Sequence, residues 1–141
     1  MTRTVVRGKA FPETKKMFDA VLVAQKAALE KVRAGIRISA LEKEARDHFD
    51  KAGFPTVTDS KGSRGFIHNL GHGVGLDIHE GPTVNRWNNH ELKAGSVITI
   101  EPGLYYPQVG GIRIEDMVVV EEGGCENLTR AAKVLEITDN K

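Results

Sequence analysis

The sequence predicts an α+β protein in which two helices pack on a mostly antiparallel sheet. Two amphipathic helical patterns come first along the chain, and several short β-branched segments between glycine turns follow them. Helices and strands that are segregated in this way favour α+β architecture over alternating βαβ units. The 141 residues are enough for one domain with a buried core.

Composition and charge exclude several classes of protein. The formal net charge is +1, so no basic field favours nucleic acid or an anionic membrane as a partner. No apolar run has the length of a membrane span, and the N-terminus has no signal-peptide pattern. The single cysteine, Cys125, excludes an internal disulfide framework and is expected at the surface or at a strand edge. We therefore expect a cytoplasmic protein.

The N-terminal segment predicts a strand followed by a long helix. Residues Thr2–Arg7 are β-branched and short, which is typical of a strand. Pro12 suits the first turn of a helix, and Gly35 is a stop signal. Between them the residues of one helical face recur at intervals of three and four: Met17, Phe18, Val21, Leu22, Gln25, Ala28, Leu29 and Val32.

A second helix is expected from Ser39. Glu42 follows three residues later, so that the sequence SALE predicts a capping box at the helix start. Gly53 and Pro55 end the helical pattern.

The rest of the chain predicts short strands between turns and loops. Thr56–Gly65 is expected to be a polar loop, and a further loop runs through Pro82, Trp87 and Asn89. Trp87 and His90 either line a site or belong to a surface loop. Strands are expected where β-branched residues are bounded by glycine or proline, at Ser96–Glu101, Ile112–Val120 and Val134–Ile137.

The candidate site is the segment Phe66–Glu80, which reads FIHNLGHGVGLDIHE. It holds three of the five histidines, His68, His72 and His79, and glycines closely flank His72. Glycine allows backbone conformations and close approaches that larger residues resist. A polar loop with locally bonded histidines would explain one imidazole, but not three at this spacing before two acidic strands. The segment therefore predicts a functional site.

Two glutamates in the later strands are candidate partners of His72. Side chains alternate between the faces of a strand, so Glu101 shares a face with Thr99, and Glu115 shares one with Arg113. Carboxylates in apolar strands are costly to bury unless they are paired or bind a metal. A salt bridge between Arg113 and Glu115 would explain one of them. One imidazole and two carboxylates together indicate a metal site, suited to manganese, cobalt, iron or zinc.

Three motifs resemble those of one enzyme family. GHGVGLDIHEGP, TIEPGLY and GGIRIED, in this order, are similar to the motifs of the pita-bread metallopeptidases, which include methionine aminopeptidase, Xaa-Pro aminopeptidase, Xaa-Pro dipeptidase and creatinase. The resemblance covers essentially all 141 residues. It implies the pita-bread fold and a site for two divalent ions, of which manganese and cobalt are the first candidates. It also implies hydrolysis of a peptide bond next to proline by metal-activated water.

The same resemblance implies roles for individual residues. His72, Glu101 and Glu115 correspond to metal ligands, and Glu101 corresponds also to the proton shuttle. His79 corresponds to the histidine that contacts the substrate near the scissile bond. His68 and Arg113 resemble residues of the proline-specific members, so both are expected to bind substrate and His68 to take part in catalysis.

One part of the family pattern has no counterpart here. Two further aspartate ligands lie upstream in the family, the second usually in D-x-T-R-T, whereas Met1 precedes Thr2, Arg3 and Thr4 in this sequence. We therefore expect residues 1–141 to be the C-terminal part of a catalytic domain without its N-terminal half, with at most one bound ion and weak or no activity of its own. The alternative is a fragment or peptide-binding module without activity. An unpaired strand at Thr2–Arg7 predicts a homodimer or association with the missing half.

Overall fold

Two helices pack against a five-stranded antiparallel sheet in the computed structural model, which describes residues 1–138. The predicted α+β class is confirmed. In chain order the elements are β1 (Val6–Arg7), α1 (Pro12–Lys31), α2 (Ile38–Lys51), β2 (Val57–Asp59), β3 (Gly62–Arg64), β4 (Gly71–Gly73), β5 (Glu80–Val84), β6 (Val97–Ile100), β7 (Gly103–Tyr106), β8 (Gly110–Arg113), β9 (Asp116–Val120), β10 (Cys125–Asn127) and β11 (Glu136–Ile137).

Helix α1 buries the face that its sequence pattern predicts. Pro12 lies in the first turn, where its missing N–H removes no helical hydrogen bond. Glu13 near the start and Lys31 near the end each complement the helix dipole. The helix packs on α2 and on β6, β7 and β8. Its buried residues are Met17, Phe18, Ala20, Val21, Ala24, Gln25 and Ala28.

Loop carbonyl groups cap helix α2 at its N-terminus. The helix begins at Ile38, whose N–H donates to the carbonyl oxygen of His90 at 3.0 Å. The N–H of Ser39 donates to the carbonyl oxygen of Asn88 at 2.9 Å. These two donors would otherwise need side-chain caps or water.

The predicted capping box is therefore wrong. No side-chain capping hydrogen bond forms at this helix start, and the Ser39 hydroxyl donates instead to Asn89 Oδ1 at 2.9 Å. Glu42 is 1% exposed and accepts from Arg46 Nε at 2.8 Å and from the Arg86 N–H at 3.1 Å. Both side chains have tertiary partners, which a local sequence motif does not reveal.

The five-stranded sheet has the order β10-β9-β6-β4-β5, and each neighbouring pair is antiparallel. Strand β4 has only three residues and lies between β6 and the edge strand β5. Ile98 and Ile100 of β6 are fully buried, as are Val118 and Val120 of β9. These residues form the core together with the buried sides of the two helices. Phe66 and Leu70 belong to the same core, so the segment that holds the candidate site packs directly on it.

The strand pattern departs from the sequence prediction in several places. The predicted strand Ile112–Val120 is divided into β8 and β9, with a break at Ile114 and Glu115. The predicted loop Thr56–Gly65 contains the β2–β3 hairpin. This hairpin is exposed and polar, so it lacks the alternation of apolar residues by which strands are recognised. Strands β4, β5, β7 and β10 were not predicted either, because each is short and contains glycine, proline or polar residues.

The N-terminal strand has a partner within the chain. Val6 and Arg7 pair in parallel with Glu136 and Ile137, within the C-terminal strand predicted at Val134–Ile137. The strand expected at Thr2–Arg7 is therefore only two residues long and pairs along one edge within the chain, whereas association through a strand edge stays a prediction. A homodimer stays a prediction. Neither helix within the described residues has the length and apolar character that crossing a membrane requires.

Candidate metal centre

His72, Glu101 and Glu115 meet at one place in the fold. His72 lies in β4, Glu101 directly follows β6, and Glu115 lies in the break between β8 and β9. One ligand atom of each residue lies within 4.8 Å of the other two. Two atoms bound to one ion lie at most about 4 Å apart, because each bond is about 2 Å long. The observed separations therefore fit a shared ion after small movements of the side chains.

The His72 ring directs its Nε2 atom toward Glu101. Its Nδ1 lies 2.8 Å from the carbonyl oxygen of Gly73, which can only accept, so Nδ1 carries a proton. The other nitrogen, Nε2, lies 3.3 Å from Glu101 Oε1. In the neutral ring these two atoms are both acceptors, and a cation between them would satisfy both. A backbone carbonyl on Nδ1 is also the usual outer contact of a metal-binding imidazole. The donor set thus fits a divalent ion.

Thr99 connects His72 with Glu101. Its hydroxyl accepts from the N–H of His72 at 3.0 Å and donates to Glu101 Oε1 at 3.2 Å. Burial raises the pKa of Glu101 most, and the negative charge of Glu115 raises it further. His72, Thr99 and Arg113 act in the opposite direction without reversing this rise in pKa. Sequence reasoning did not assign Thr99 a function, although strand alternation placed it on the same face as Glu101.

Glu115 is held by the hydroxyl group of Thr2, which donates to Oε2. Arg113 donates to the same hydroxyl oxygen, from Nε at 3.3 Å and from Nη2 at 3.2 Å. The ion pair of Arg113 is with Glu101, at 3.7 Å from Nε to Oε2. Within residues 1–138, Arg113 therefore reaches Glu115 through Thr2 and not by the direct salt bridge considered from the sequence.

An open cleft of about 500 Å³ lies at these residues. Its lining includes five of the six predicted site residues: His68, His72, His79, Glu101 and Arg113. Glu115 is buried and is not part of the lining, but its carboxylate lies beside the cleft residues Glu101 and His72. The structure thus brings all six residues into one region, while their chemical roles stay predictions.

The two other histidines of the segment occupy different surroundings. The His79 ring lies perpendicular to the His72 ring, with 4.7 Å between ring centroids. His68 has edge-to-face contacts with Phe66 and Tyr105 at 5.2 and 5.4 Å between centroids. Burial lowers the pKa of His68, because a charged imidazolium is poorly solvated there. Its Nδ1 lies 2.7 Å from a backbone carbonyl oxygen, and its buried Nε2 has no hydrogen-bond partner within residues 1–138.

Glycines on both sides of His72 allow the strands to approach. A Cβ atom at Gly71 would lie 1.9 Å from the carbonyl oxygen of Thr99, and one at Gly73 would lie 1.9 Å from that of Gly81. No side chain fits at such distances. The glycines flanking His72 are therefore required by close backbone packing on either side of β4.

Trp87 and His90 lie outside this cleft. His90 lines a larger groove of about 750 Å³ near the start of α2, which contains none of the six predicted site residues. Trp87 is 68% exposed, and the guanidinium of Arg86 lies 4.3 Å from its ring centroid. Trp87 lines a smaller pocket of about 180 Å³ together with His68, so both interpretations of these residues stay predictions.

Comparisons with known proteins agree on one family. The sequence pattern of metallopeptidase family M24 matches residues 1–122. The Xaa-Pro dipeptidase of Pyrococcus furiosus is 41% identical over 135 residues, which are 96% of this chain and 36% of that protein. The chain thus spans about a third of the length of the curated relatives it matches.

Solved structures agree with the sequence matches. The X-Pro aminopeptidase of Thermotoga maritima superimposes with a TM-score of 0.86 at 36% identity, over 96% of this chain and 36% of that one. The prolidase of Pyrococcus horikoshii has a TM-score of 0.85 at 39% identity, over 94% of this chain and 36% of that one. The expected pita-bread architecture is confirmed by these neighbours.

Proposed function

We propose, because this chain belongs to metallopeptidase family M24, that it carries the ligand-bearing part of an Xaa-Pro exopeptidase that hydrolyses a peptide bond next to proline. Relatives named Xaa-Pro dipeptidase, X-Pro aminopeptidase and prolidase support this substrate class. The proposal depends above all on one observation, the meeting of an imidazole lone pair and two carboxylates within 4.8 Å beside an open cleft.

His72, Glu101 and Glu115 would hold a divalent ion, with manganese or cobalt as the first candidates and zinc or iron as alternatives. When bound, such an ion lowers the pKa of a coordinated water molecule and polarises the substrate carbonyl. The described residues contain one group of three candidate ligands. We therefore expect at most one tightly bound ion in this chain.

Side chains around the cleft would bind the peptide and move the proton. Glu101 accepts a proton from the attacking water molecule and delivers it to the departing nitrogen. A peptide bond to proline has no N–H, so this nitrogen leaves as a secondary amine only after it receives that proton. His79, beside His72, donates to the carbonyl oxygen as negative charge develops there. His68 and Arg113 contact the remainder of the peptide.

The test combines metal binding with hydrolysis. The chain is dialysed against Mn²⁺, bound metal is measured, and release of free proline from an Xaa-Pro dipeptide is followed, with an Xaa-Ala dipeptide as the substrate control. We expect Glu115→Gln to weaken Mn²⁺ binding by more than about 100-fold, which exceeds the 10–100-fold typical of changes outside the ligand shell. Glu122→Gln, on the exposed turn after β9, is the matched control and should bind Mn²⁺ like the unaltered chain.

Each outcome separates the candidate functions. Proline release that depends on Mn²⁺ and is lost in Glu115→Gln supports the exopeptidase. Metal binding and peptide binding without hydrolysis would favour the alternative, a peptide-binding module or a fragment without activity of its own. Equal Mn²⁺ binding by the Glu115→Gln and Glu122→Gln variants would refute the proposed ligand set.

A further inference from the structure

A buried polar cluster lies directly behind the candidate metal centre. Asp116, the residue after Glu115, is fully buried. Its Oδ1 accepts from Arg3 Nη2 at 2.6 Å, and its Oδ2 accepts from Lys133 Nζ at 2.6 Å and from Asn127 Nδ2 at 2.8 Å. Two of these partners are charged and one is neutral, and they come from three different segments of the chain. A buried carboxylate is costly unless all such contacts form together. The described contacts do satisfy both carboxylate oxygens.

Arg3 connects this cluster to the backbone of Glu115. Its Nη1 donates to the carbonyl oxygen of Glu115 at 2.7 Å and to that of Thr2 at 2.8 Å. Its Nη2 also donates to the carbonyl oxygen of Ala131 at 2.9 Å. One guanidinium group therefore holds the proposed ligand, the Asp116 carboxylate and the C-terminal segment at the same time.

Lys133 fastens the C-terminal segment on which Arg3 depends. Its Nζ donates to Gln25 Oε1 of helix α1 at 2.7 Å as well as to Asp116. The Lys133 side chain is 19% exposed, so both contacts are largely shielded from water. Removing the ammonium group would leave Gln25 Oε1 and Asp116 Oδ2 each without a charged donor, and would release the segment that carries the Ala131 carbonyl.

Glu115 needs such support because it lies in the break between two strands. Its backbone N–H donates to the carbonyl oxygen of Thr2 at 3.0 Å, and its carbonyl oxygen accepts from Arg3. These partners belong to the N-terminal segment before β1 and not to the five-stranded sheet. The direction of the Glu115 side chain therefore depends on how firmly residues 2 and 3 are held.

We infer that Arg3, Asp116 and Lys133 form a positioning cluster that aims the Glu115 carboxylate at the metal, so that the C-terminal segment around Lys133 contributes to metal affinity. The inference depends on the metal site proposed above. None of the three residues touches the ion or the substrate, so each acts through Glu115. Outer contacts of metal ligands typically change affinity by about 10–100-fold when they are removed.

The test measures Co²⁺ binding to the full chain by calorimetry and by the visible absorption spectrum of the bound ion. We expect Lys133→Met to raise the Kd for Co²⁺ about 10-fold and to change the spectrum. The effect lies at the lower end of that range because Lys133 reaches Glu115 only through Asp116 and Arg3. Lys133→Arg should restore most of the affinity. Lys15→Met is the matched control, because Lys15 fastens the same C-terminal segment through Glu136 at 2.8 Å without touching Asp116.

Measurements are made below the thermal transition of every variant, so that loss of folding is not read as loss of affinity. Where Lys133→Met does not fold, Lys133→Gln, which keeps a donor for Asp116 without the charge, is measured in the same way. Equal Kd values and spectra for the unaltered chain and the Lys133 variant would overturn the positioning cluster and leave the metal site intact. Absence of Co²⁺ binding by the unaltered chain would refute the metal site itself.

Discussion

Gly71→Ala should separate the two strands that carry His72 and Glu101. The added Cβ atom would lie 1.9 Å from the carbonyl oxygen of Thr99, whereas such contacts in proteins are essentially never below 3.0 Å. The strands must therefore move apart by at least about 1.1 Å at this point. No rotamer change relieves the contact, because the opposing atom belongs to the backbone.

The cost follows from the contacts around this point. Overpacking of a close contact costs about 1–3 kcal/mol. The hydrogen bonds from the His72 N–H to Thr99 Oγ1 at 3.0 Å and from the Glu101 N–H to the Leu70 carbonyl at 2.7 Å both lengthen. Each contributes about 1 kcal/mol. The free energy of unfolding should fall by roughly 3–5 kcal/mol, and Tm should fall on the order of 10–20 °C for a chain of this size.

Thermal denaturation followed by circular dichroism measures this change. Gly123→Ala and Gly124→Ala are the matched controls, since neither glycine has a positive φ and a Cβ atom at either would meet nothing within 4 Å. Both controls should lie within about 1 kcal/mol of the unaltered chain, on either side. A Gly71→Ala protein as stable as these controls would refute the reasoning that close strand packing requires glycine beside His72.

Three further outcomes follow from burial and charge. Phe49→Ala should lower the free energy of unfolding by about 3–5 kcal/mol in urea denaturation, because the side chain is 1% exposed, whereas Phe11→Ala, 79% exposed, should change it by less than about 0.5 kcal/mol. Burial raises the pKa of the Cys125 thiol, and only the thiolate reacts with iodoacetamide. At pH 8 Cys125 should therefore be alkylated more slowly than free cysteine, and its alkylation should accelerate above pH 9. Equal alkylation rates of Cys125 and free cysteine at pH 8 would contradict this. Burial alone would raise the pKa of Asp116, but its hydrogen bonds, with Lys133 the largest, outweigh it and lower the pKa from 3.8 to about 2. The ionised Asp116 therefore adds about 2 kcal/mol to the free energy of unfolding above pH 4, and this contribution is lost as the pH falls through 2. When the stability of Asp116→Asn is measured against pH, this part of the acid-induced loss should be absent.

Strand alternation and residue type were sufficient to select the candidate ligands. Glu101 and Glu115 stand out because a carboxylate in an apolar strand is costly to bury, and the phase of each strand predicted which neighbours share its face. The structure places Thr99 beside Glu101 as this phase requires, whereas the strand breaks before Glu115 and Arg113 reaches that residue through Thr2. Helix α1 likewise buries the face that its periodicity predicts. These features depend on neighbours a few residues apart, which local patterns describe.

Contacts between distant segments lay beyond such patterns. SALE has the letters of a capping box, yet Ser39 donates to Asn89 and Glu42 accepts from the N–H of Arg86, partners that only the folded chain brings near. The pairing of Val6–Arg7 with Glu136–Ile137 joins opposite ends of the chain.

The sequence by itself predicted the fold class and the two helices, because periodicity acts over short separations, and its motifs pointed to six candidate site residues through their resemblance to one enzyme family. Only the tertiary structure decided that Thr2 and Arg3 support Glu115, and that Lys133 meets Asp116 from the C-terminal segment. Some of these contacts join residues that are more than 100 positions apart, so no local sequence pattern reveals them. These residues pair because a buried carboxylate is stable only when it accepts hydrogen bonds, and the donors are the side chains that packing places beside it.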